Sequence, residues 1–318
     1  MILEISSHGS VLKRQNDLFI VKNEDGKSEV PAEKVDAIIT SANILISSQA
    51  IKLCIEKNIQ LVVTDWAGRP VARLWVSTAG KSTELRRRQY ANQDTVLGVQ
   101  ISIELVRTKL KRQKEFLQDL KNNRKVDVPE ITRAIDIISD ALLQIRKLQP
   151  DNRVKQSLLG LEGTSASAYF RAISSSLPSK WSFEHRSQYP ALDGFNALLN
   201  YAYGIAYSDV EKIIILSGLD PNSGFYHADS YGKPTLSFDL MELVRPLIDR
   251  TVVSLFNKKM VSERWFEKND DSSIFLKKDA RLTLLTSYSE KNRKELEKIT
   301  WRFCREIIER LTSGDKEA

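Results

Sequence analysis

Near residue 80 the texture of this chain changes, and one class of fold does not accommodate both halves. From Met1 to about Trp75 the apolar residues come in short runs cut by turns: "DLFIVKNEDGKSEVP", "VDAIITSANILISS" and "IQLVVTDWAGRPVARLWV". Their alternation and β-branched content predict a small sheet-rich domain, with Asp25 and Gly26 as a hairpin turn. One helix is expected inside it over "SSQAIKLCIEKN", started by Ser47 or Ser48 and packed through Ile51, Cys54 and Ile55. After the small polar residues of "VSTAGKSTELRRRQY" the apolar spacing turns helical. Helices are expected over about 84–122 with an interruption near Gly98, then 129–148, 155–175, 192–216, 238–262 and 278–312, punctuated by Pro129, Pro150, Pro178, Pro190 and Pro221. The fold class predicted is therefore α+β: a β-rich N-terminal domain over 1–76, a linker over 77–83 and a larger all-α domain over 84–318, with "SGDKEA" as a frayed tail.

Charge narrows the choice of partner. The chain of 318 residues carries a formal charge of +7, and residues 81–125 alone hold twelve Lys or Arg against five acids, the same net +7. The run Arg86, Arg87, Arg88 and the cluster Lys109, Lys111, Arg112, Lys114 suit a polyanion such as DNA; a solvated charged helix is the other reading of the same residues. Only Cys54 and Cys304 are present, far apart, which argues against a disulfide scaffold or thiolate cluster and for a reduced, cytoplasmic setting. "MILEISSHGS" lacks the pattern of an export signal, and no apolar run approaches the roughly 20 residues that cross a bilayer, so no membrane partner is expected.

Candidate chemistry gathers late in the chain. Asp239 and Glu242 stand three apart in a helical pattern, so both carboxylates lie on one face and offer hard oxygen ligands suited to Mg²⁺ or Mn²⁺. The same spacing also makes a capping box, with Asp239 as N-cap and Glu242 reaching back, although Ser237 offers another cap. His227 sits in the loop "SGFYHADSYGKP", where an imidazole serves either as a surface hydrogen-bonding group or as the nitrogen of a mixed site. Glu162 lies among small residues in "QSLLGLEGTSASAYF", and alone it reads as an exposed helix acid beside a close packing surface. Tyr90, Tyr169, Trp181, Tyr189 and Trp265 suit core or subunit packing better than stacking on DNA ends.

Three ordered motifs, "LLGLEGTSASAYF", "LLNYAYGIAYSDVEKIIILSGLDP" and "GFYHADSYGKPTLSFDLMELVRPLIDR", resemble the CRISPR-associated endonuclease and integrase family that inserts new spacers, and the resemblance extends over the full chain. It implies a metal-dependent catalytic domain in which Mg²⁺ or Mn²⁺ is held by Glu162, His227 and Glu242, with Asp239 as a close fourth member. Some members resemble an Asp version at the Glu242 position, which leaves the direct late ligand open between Asp239 and Glu242. The resemblance also places Tyr203 and Lys233 near the active centre; chemically Lys233 suits a scissile phosphate and Tyr203 a phosphate or terminal sugar, against the plainer roles of loop solvation and core filling. Arg245 stays divided between a DNA contact and an ion pair with a nearby acid.

The implied reaction is attack by the 3′-hydroxyl of a short donor duplex on a phosphodiester of repeat DNA, a transesterification that a bound cation assists by stabilising charge at phosphorus. Its reverse would resolve branched DNA, and water in place of the sugar hydroxyl would give nuclease activity. The resemblance further implies a homodimer built through the β-rich domain and a small ferredoxin-like CRISPR-associated adaptation protein bridging two dimers. An integrase of a related mobile element, a catalytically weak DNA-binding scaffold and a purely structural protein are the competing readings.

Overall fold

The computed structural model describes residues 1–35, 37–57, 59–64, 70–74, 82–123, 128–151, 153–227, 233–269 and 273–313. They form two compact units, Met1–Ala79 and Gly80–Ala318. Most of the expected linker and all but Ser313 of the expected tail lie outside the described residues. The change of texture in the sequence marks a real change of class, since a strand-rich region is followed by a larger helical one.

In the first unit β1 (Ile2–Ile5), β2 (Val11–Gln15), β3 (Leu18–Asn23), β4 (Gly26–Pro31), β5 (Ala37–Thr40), β6 (Leu45–Ile46), α1 (Ser48–Glu56), β7 (Gln60–Thr64) and β8 (Pro70–Arg73) follow one another. Two four-stranded sheets result. One has the order β1-β5-β7-β8, parallel except for β8; the other, β4-β3-β2-β6, is an antiparallel meander with β6 added parallel to β2. Pairing of Asn23 with Gly26 makes Glu24 and Asp25 the hairpin turn, one residue earlier than expected, and Gly26 takes φ +131° as the first residue of β4. Leu12, Phe19, Ile38, Leu53 and Cys54 are fully buried in the core of this unit. Ser47 accepts from the Ala50 N–H at 3.2 Å, as an N-cap should. The helix it starts buries Ala50, Leu53 and Cys54 and leaves Ile55 37% exposed, so the buried stripe is rotated from the expected one.

The second unit contains α2 (Ser82–Ala91), α3 (Val96–Asn122), α4 (Pro129–Ile145), α5 (Val154–Ser176), α6 (Gly194–Leu216), α7 (Thr235–Asn257), the short antiparallel pair β9 (Phe266–Lys268) and β10 (Ile274–Leu276), α8 (Lys278–Lys291) and α9 (Arg293–Thr312). α6 is apolar on nearly every side, with Phe195, Leu198, Leu199, Ala206, Val210 and Ile214 fully buried, and such a helix must lie inside. It packs against α7, which also touches α3, α8 and α9, while α5 lies on α3 and α4.

Three local differences from the sequence reading matter for the site. The interruption expected at Gly98 falls at Asn92–Thr95, and Gly98 instead lets the start of α3 approach the Asn92 and Gln93 carbonyls, where a Cβ would collide. α7 begins at Thr235, so Asp239 lies in its second turn and is not an N-cap, which removes the capping-box reading. The single helix expected over 278–312 is divided at Asn292, whose buried Oδ1 accepts from the Thr251 hydroxyl at 2.7 Å and ties the bend to α7.

Gly98→Ala should lower the stability of the helical unit by about 2 kcal/mol or more, because backbone carbonyls cannot move aside as a flexible side chain would. Gly160→Ala, where a Cβ meets open space on α5, should be neutral or stabilising by up to about 1 kcal/mol. Urea unfolding followed by helical circular dichroism distinguishes the two.

Candidate active site

Residues 217–227, which follow α6, have no regular structure, so their backbone groups need partners from elsewhere. Side chains of α2, α3 and α7, and of the turn between α2 and α3, supply many of them. From α2, the amide of Gln89 donates to the Asp220 and Ser223 carbonyls at 2.9 and 2.7 Å and accepts from the Asp220 N–H at 2.8 Å. Gln93 donates to the Gly224 carbonyl at 3.0 Å, and the buried Ser102 of α3 donates to that of Phe225 at 2.9 Å. From α7, Asp239 accepts from the N–H groups of Phe225, Tyr226 and His227 at 2.6, 3.0 and 2.9 Å. Its Oδ1 also lies 2.7 Å from Nδ1 of His227. Gly224 is required here, since a Cβ would come within 2.8 Å of Asp239 Oδ2.

The imidazole of His227 is thereby oriented. Burial disfavours its charge most strongly, but the bond to Asp239 together with the negative charges of Asp239, Glu242 and Glu162 outweighs that and raises its pKa above the usual 6.5. In the neutral ring Nδ1–H donates to Asp239 and Nε2 keeps its lone pair, the arrangement that presents a histidine as a ligand.

Two more carboxylates complete the centre. Glu162 projects from α5 and Glu242 from α7, and both pair with the ammonium of Lys109 on α3. One nitrogen reaching both means that their oxygens lie no farther apart than two nitrogen–oxygen contacts. Tyr226 donates to the other oxygen of Glu162 at 3.0 Å, and Arg245 Nε lies 2.9 Å from Oε1 of Glu242. Burial alone would raise the Glu242 pKa, yet Arg245 and Lys109 lower it to about 2, so the group is held as a carboxylate. For Lys109 burial likewise opposes the charge, and the two glutamates more than restore it. These groups line a cavity of about 590 Å³ whose far wall includes Phe170, Arg171, His185 and Arg186.

α7 lacks one of its internal hydrogen bonds beside the acids. Pro246 has no N–H to give the Glu242 carbonyl one turn back, and next to that carbonyl Arg112 donates to the one of Leu243 at 3.2 Å. Arg112, expected on a DNA-facing surface, thus supports the helix that carries the acids.

The remaining expected site residues separate into groups. Tyr203 is fully committed inward: its hydroxyl donates to Asp249, which also accepts from Tyr169 at 2.8 Å, and Arg245 covers its ring at 4.8 Å. That burial disfavours the phosphate or sugar contact and supports core filling. Lys233 is exposed, and residues 228–232 before it lie outside the described residues. In the basic segment, Lys109 turns inward because it shares the buried face of α3 with Leu105, Val106, Gln113 and Phe116. Arg86 donates to the Gly218 carbonyl at 3.1 Å, and Arg88 to Glu84 at 3.1 Å and to the Leu311 carbonyl at 3.3 Å. Arg87 and Lys111 are exposed, the latter 4.0 Å from Glu115, and Lys114 is half-buried.

Sequence reasoning missed Gln89, Ser102, Tyr226 and Asp249, and read Lys109 as part of a DNA-binding cluster rather than as a partner of these acids. A signal existed for two of them, because Ser102 and Lys109 are polar residues at positions of the apolar stripe of α3.

As they stand, no three His, Cys, Asp or Glu side chains among the described residues are grouped to hold a metal ion. The donor set nonetheless suits one. Two carboxylates from different helices already converge on a shared cation, beside an imidazole whose other nitrogen is engaged.

This architecture recurs in solved structures. A casposase bound to integration product matches with a TM-score of 0.83 at 22% identity, covering 98% of this chain and 91% of that one. A Cas1 protein from Thermotoga maritima matches at 0.80 and 20% identity, covering 98% and 97%. The Cas6-RT-Cas1-Cas2 complex contains a chain matched at 0.79 and 20% identity, covering 99% of this chain and 35% of that one. Together they define the class, a strand-rich unit joined to a helical unit of one particular topology.

Sequence comparison then distinguishes the family. The family model described as CRISPR associated protein Cas1 matches residues 3–290. A CRISPR-associated protein Cas1 of Methanobrevibacter ruminantium is 31% identical over 83% of this chain and 80% of its own length. A CRISPR-associated endonuclease Cas1 of Archaeoglobus fulgidus is 31% identical over 92% of this chain and 88% of its own. The chain belongs to the Cas1 family of CRISPR adaptation integrases and endonucleases. No helix among the described residues is long and apolar enough to cross a membrane.

Asp239→Asn should destabilise the helical unit by about 3 kcal/mol, since an amide cannot accept all the donors that the carboxylate accepts. Faster hydrogen exchange at Phe225, Tyr226 and His227 would accompany it. Asp249 gives a pH signature. Burial raises its pKa to about 6, against the lowering by its tyrosine partners, so its favourable contribution is full below about 3.8 and is lost as pH rises through about 6. Between pH 4 and pH 7 the stability of Asp249→Asn relative to wild type should therefore rise by about 2 kcal/mol, measured as unfolding free energy at each pH.

Proposed function

We propose that this chain is the integrase of CRISPR adaptation, joining short donor duplexes to repeat DNA by attack of a 3′-hydroxyl on a phosphodiester. The observation that carries the reading is the convergence of Glu162 and Glu242 on one cation beside an imidazole held by Asp239. Glu162, Glu242 and Nε2 of His227 would hold Mg²⁺ or Mn²⁺. Asp239 is a positioning residue rather than a ligand, because both of its oxygens are occupied by three backbone N–H groups and Nδ1. This choice leaves Glu242 as the direct late ligand.

When bound, the ion supplies a Lewis acid that polarises a phosphate oxygen and lowers the pKa of the attacking hydroxyl. The protein's own part is positional. Tyr226 fixes one oxygen of Glu162, so the other stays turned to the centre. Asp239 selects the tautomer of His227 and keeps it a ligand rather than a general base. Arg245 balances Glu242 and is itself held by the face of Tyr203, which gives Tyr203 a supporting place behind the centre. Exposed Arg87, Lys111 and Lys233 are the described members of the expected set with side chains turned outward for a DNA backbone.

Partners follow from the same reading. Double-stranded donor and repeat DNA are the substrates, the strand-rich unit joins two copies, and a small ferredoxin-like adaptation protein bridges the dimers. The casposase bound to integration product supports the DNA assignment, and the Cas6-RT-Cas1-Cas2 complex that of a small adaptation protein, each as a similar fold.

A labelled short duplex incubated with repeat-bearing supercoiled DNA under Mg²⁺ or Mn²⁺ tests the proposal. Strand joining should fall at least 100-fold in Glu162→Ala and in His227→Ala while DNA binding persists. Joining retained in both variants would reject the site. Joining that ignores the repeat and prefers transposon-like ends would favour a mobile-element integrase instead.

A further inference from the structure

The carboxylates assigned above to a divalent ion already share a cation, and the chain supplies it. Lys109 lies on the buried face of α3, one turn from Leu105 and from Gln113, with its side chain only 7% exposed. Its ammonium reaches Oε1 of Glu162 and Oε2 of Glu242 together. A lysine on an apolar stripe is strongly disfavoured unless paired, and here two acids from two other helices pair it. We propose that Lys109 is a built-in counter-ion, occupying the place of the divalent ion in the free protein and displaced from the two glutamates when the ion binds. The proposal rests on the ligand assignment under Proposed function.

Charge and space both favour this exchange. With Lys109 in place and Arg245 on the other oxygen of Glu242, two positive groups directly face these two carboxylates. Without Lys109 the glutamates repel each other in a poorly solvated site, which would spread the helices that carry them. A divalent ion added while Lys109 stayed would crowd three cations onto two acids, so the ammonium must leave. The cavity of about 590 Å³ beside it, lined also by Phe170 and His185, accepts a four-carbon stem that turns about its own bonds.

Two consequences follow. The free protein keeps its ligands close to their working positions, and the ion binds less tightly than the same donors would bind it without an internal competitor. A role confined to structure predicts the opposite for a lysine deletion, namely a looser site and weaker metal binding.

Mn²⁺ binding to the whole chain at pH 8, read by electron paramagnetic resonance of the free ion, separates these outcomes. Lys109→Met should bind Mn²⁺ at least tenfold more tightly than wild type, and should melt several degrees lower without metal but not with saturating Mn²⁺. Glu162→Gln should bind it at least tenfold more weakly. Equal or weaker binding by a folded Lys109→Met variant, with Glu162→Gln weakened as expected, would overturn the counter-ion alone. Undiminished binding by Glu162→Gln would overturn the ligand assignment beneath it. Should Lys109→Met fail to fold, the wild type still decides. In ¹⁵N-lysine-labelled protein the ammonium resonance of Lys109 should shift or vanish on Mg²⁺ saturation, and an unchanged resonance would reject displacement.

Discussion

One ammonium group between two carboxylates ties three helices of the helical unit together. Lys109 links α3 to α5 through Glu162 and to α7 through Glu242, joining helices far apart in sequence. Replacing such a buried ionic group with well-packed apolar residues can cost nothing, but removing one partner typically costs about 3–5 kcal/mol. Arrangements of the three helices that separate the partners are therefore penalised, whereas an apolar contact would tolerate sliding. The position of Glu162 beside the α7 acids depends on that penalty.

The loop before α7 shows the same logic applied to backbone. Asp239 collects three consecutive N–H groups and a ring nitrogen, while Gln89, Gln93 and Ser102 take the carbonyls alongside. The irregular backbone leading to His227 is thereby fixed by side chains carried on or beside rigid helices. His227 inherits that rigidity. Behind it, Asp239, Glu242 and Asp249 form one buried polar stripe along α7, each neutralised differently: by backbone dipoles, by Lys109 with Arg245, and by the hydroxyls of Tyr169 and Tyr203.

Much of this was legible beforehand, and the misses have physical reasons. The division into strand-rich and helical parts is readable because periodicities of two and of 3.6 residues reflect local geometry. The motif around His227, Asp239 and Glu242 was readable as a candidate site, but the N-cap alternative for Asp239 could be removed only by seeing that α7 begins at Thr235. Gly98 reads in the sequence as an interruption, since a close backbone approach and a helix break both select glycine. The basic segment looked like a DNA surface because charge counts ignore direction; Lys109 and Arg112 point inward, one to acids and the other to a carbonyl.

The amino-acid sequence alone determined which residues share a helix face, where the two textures meet, and which acids and histidine are chemically able to hold a cation, for these depend on neighbours within a few residues. Only the tertiary structure decided that Lys109 belongs among those acids, that Asp239 serves the loop, and that the Tyr203 hydroxyl faces Asp249. Each of these is a choice among partners 12 or more residues apart, and periodicity specifies the face a side chain occupies without specifying what comes to meet it.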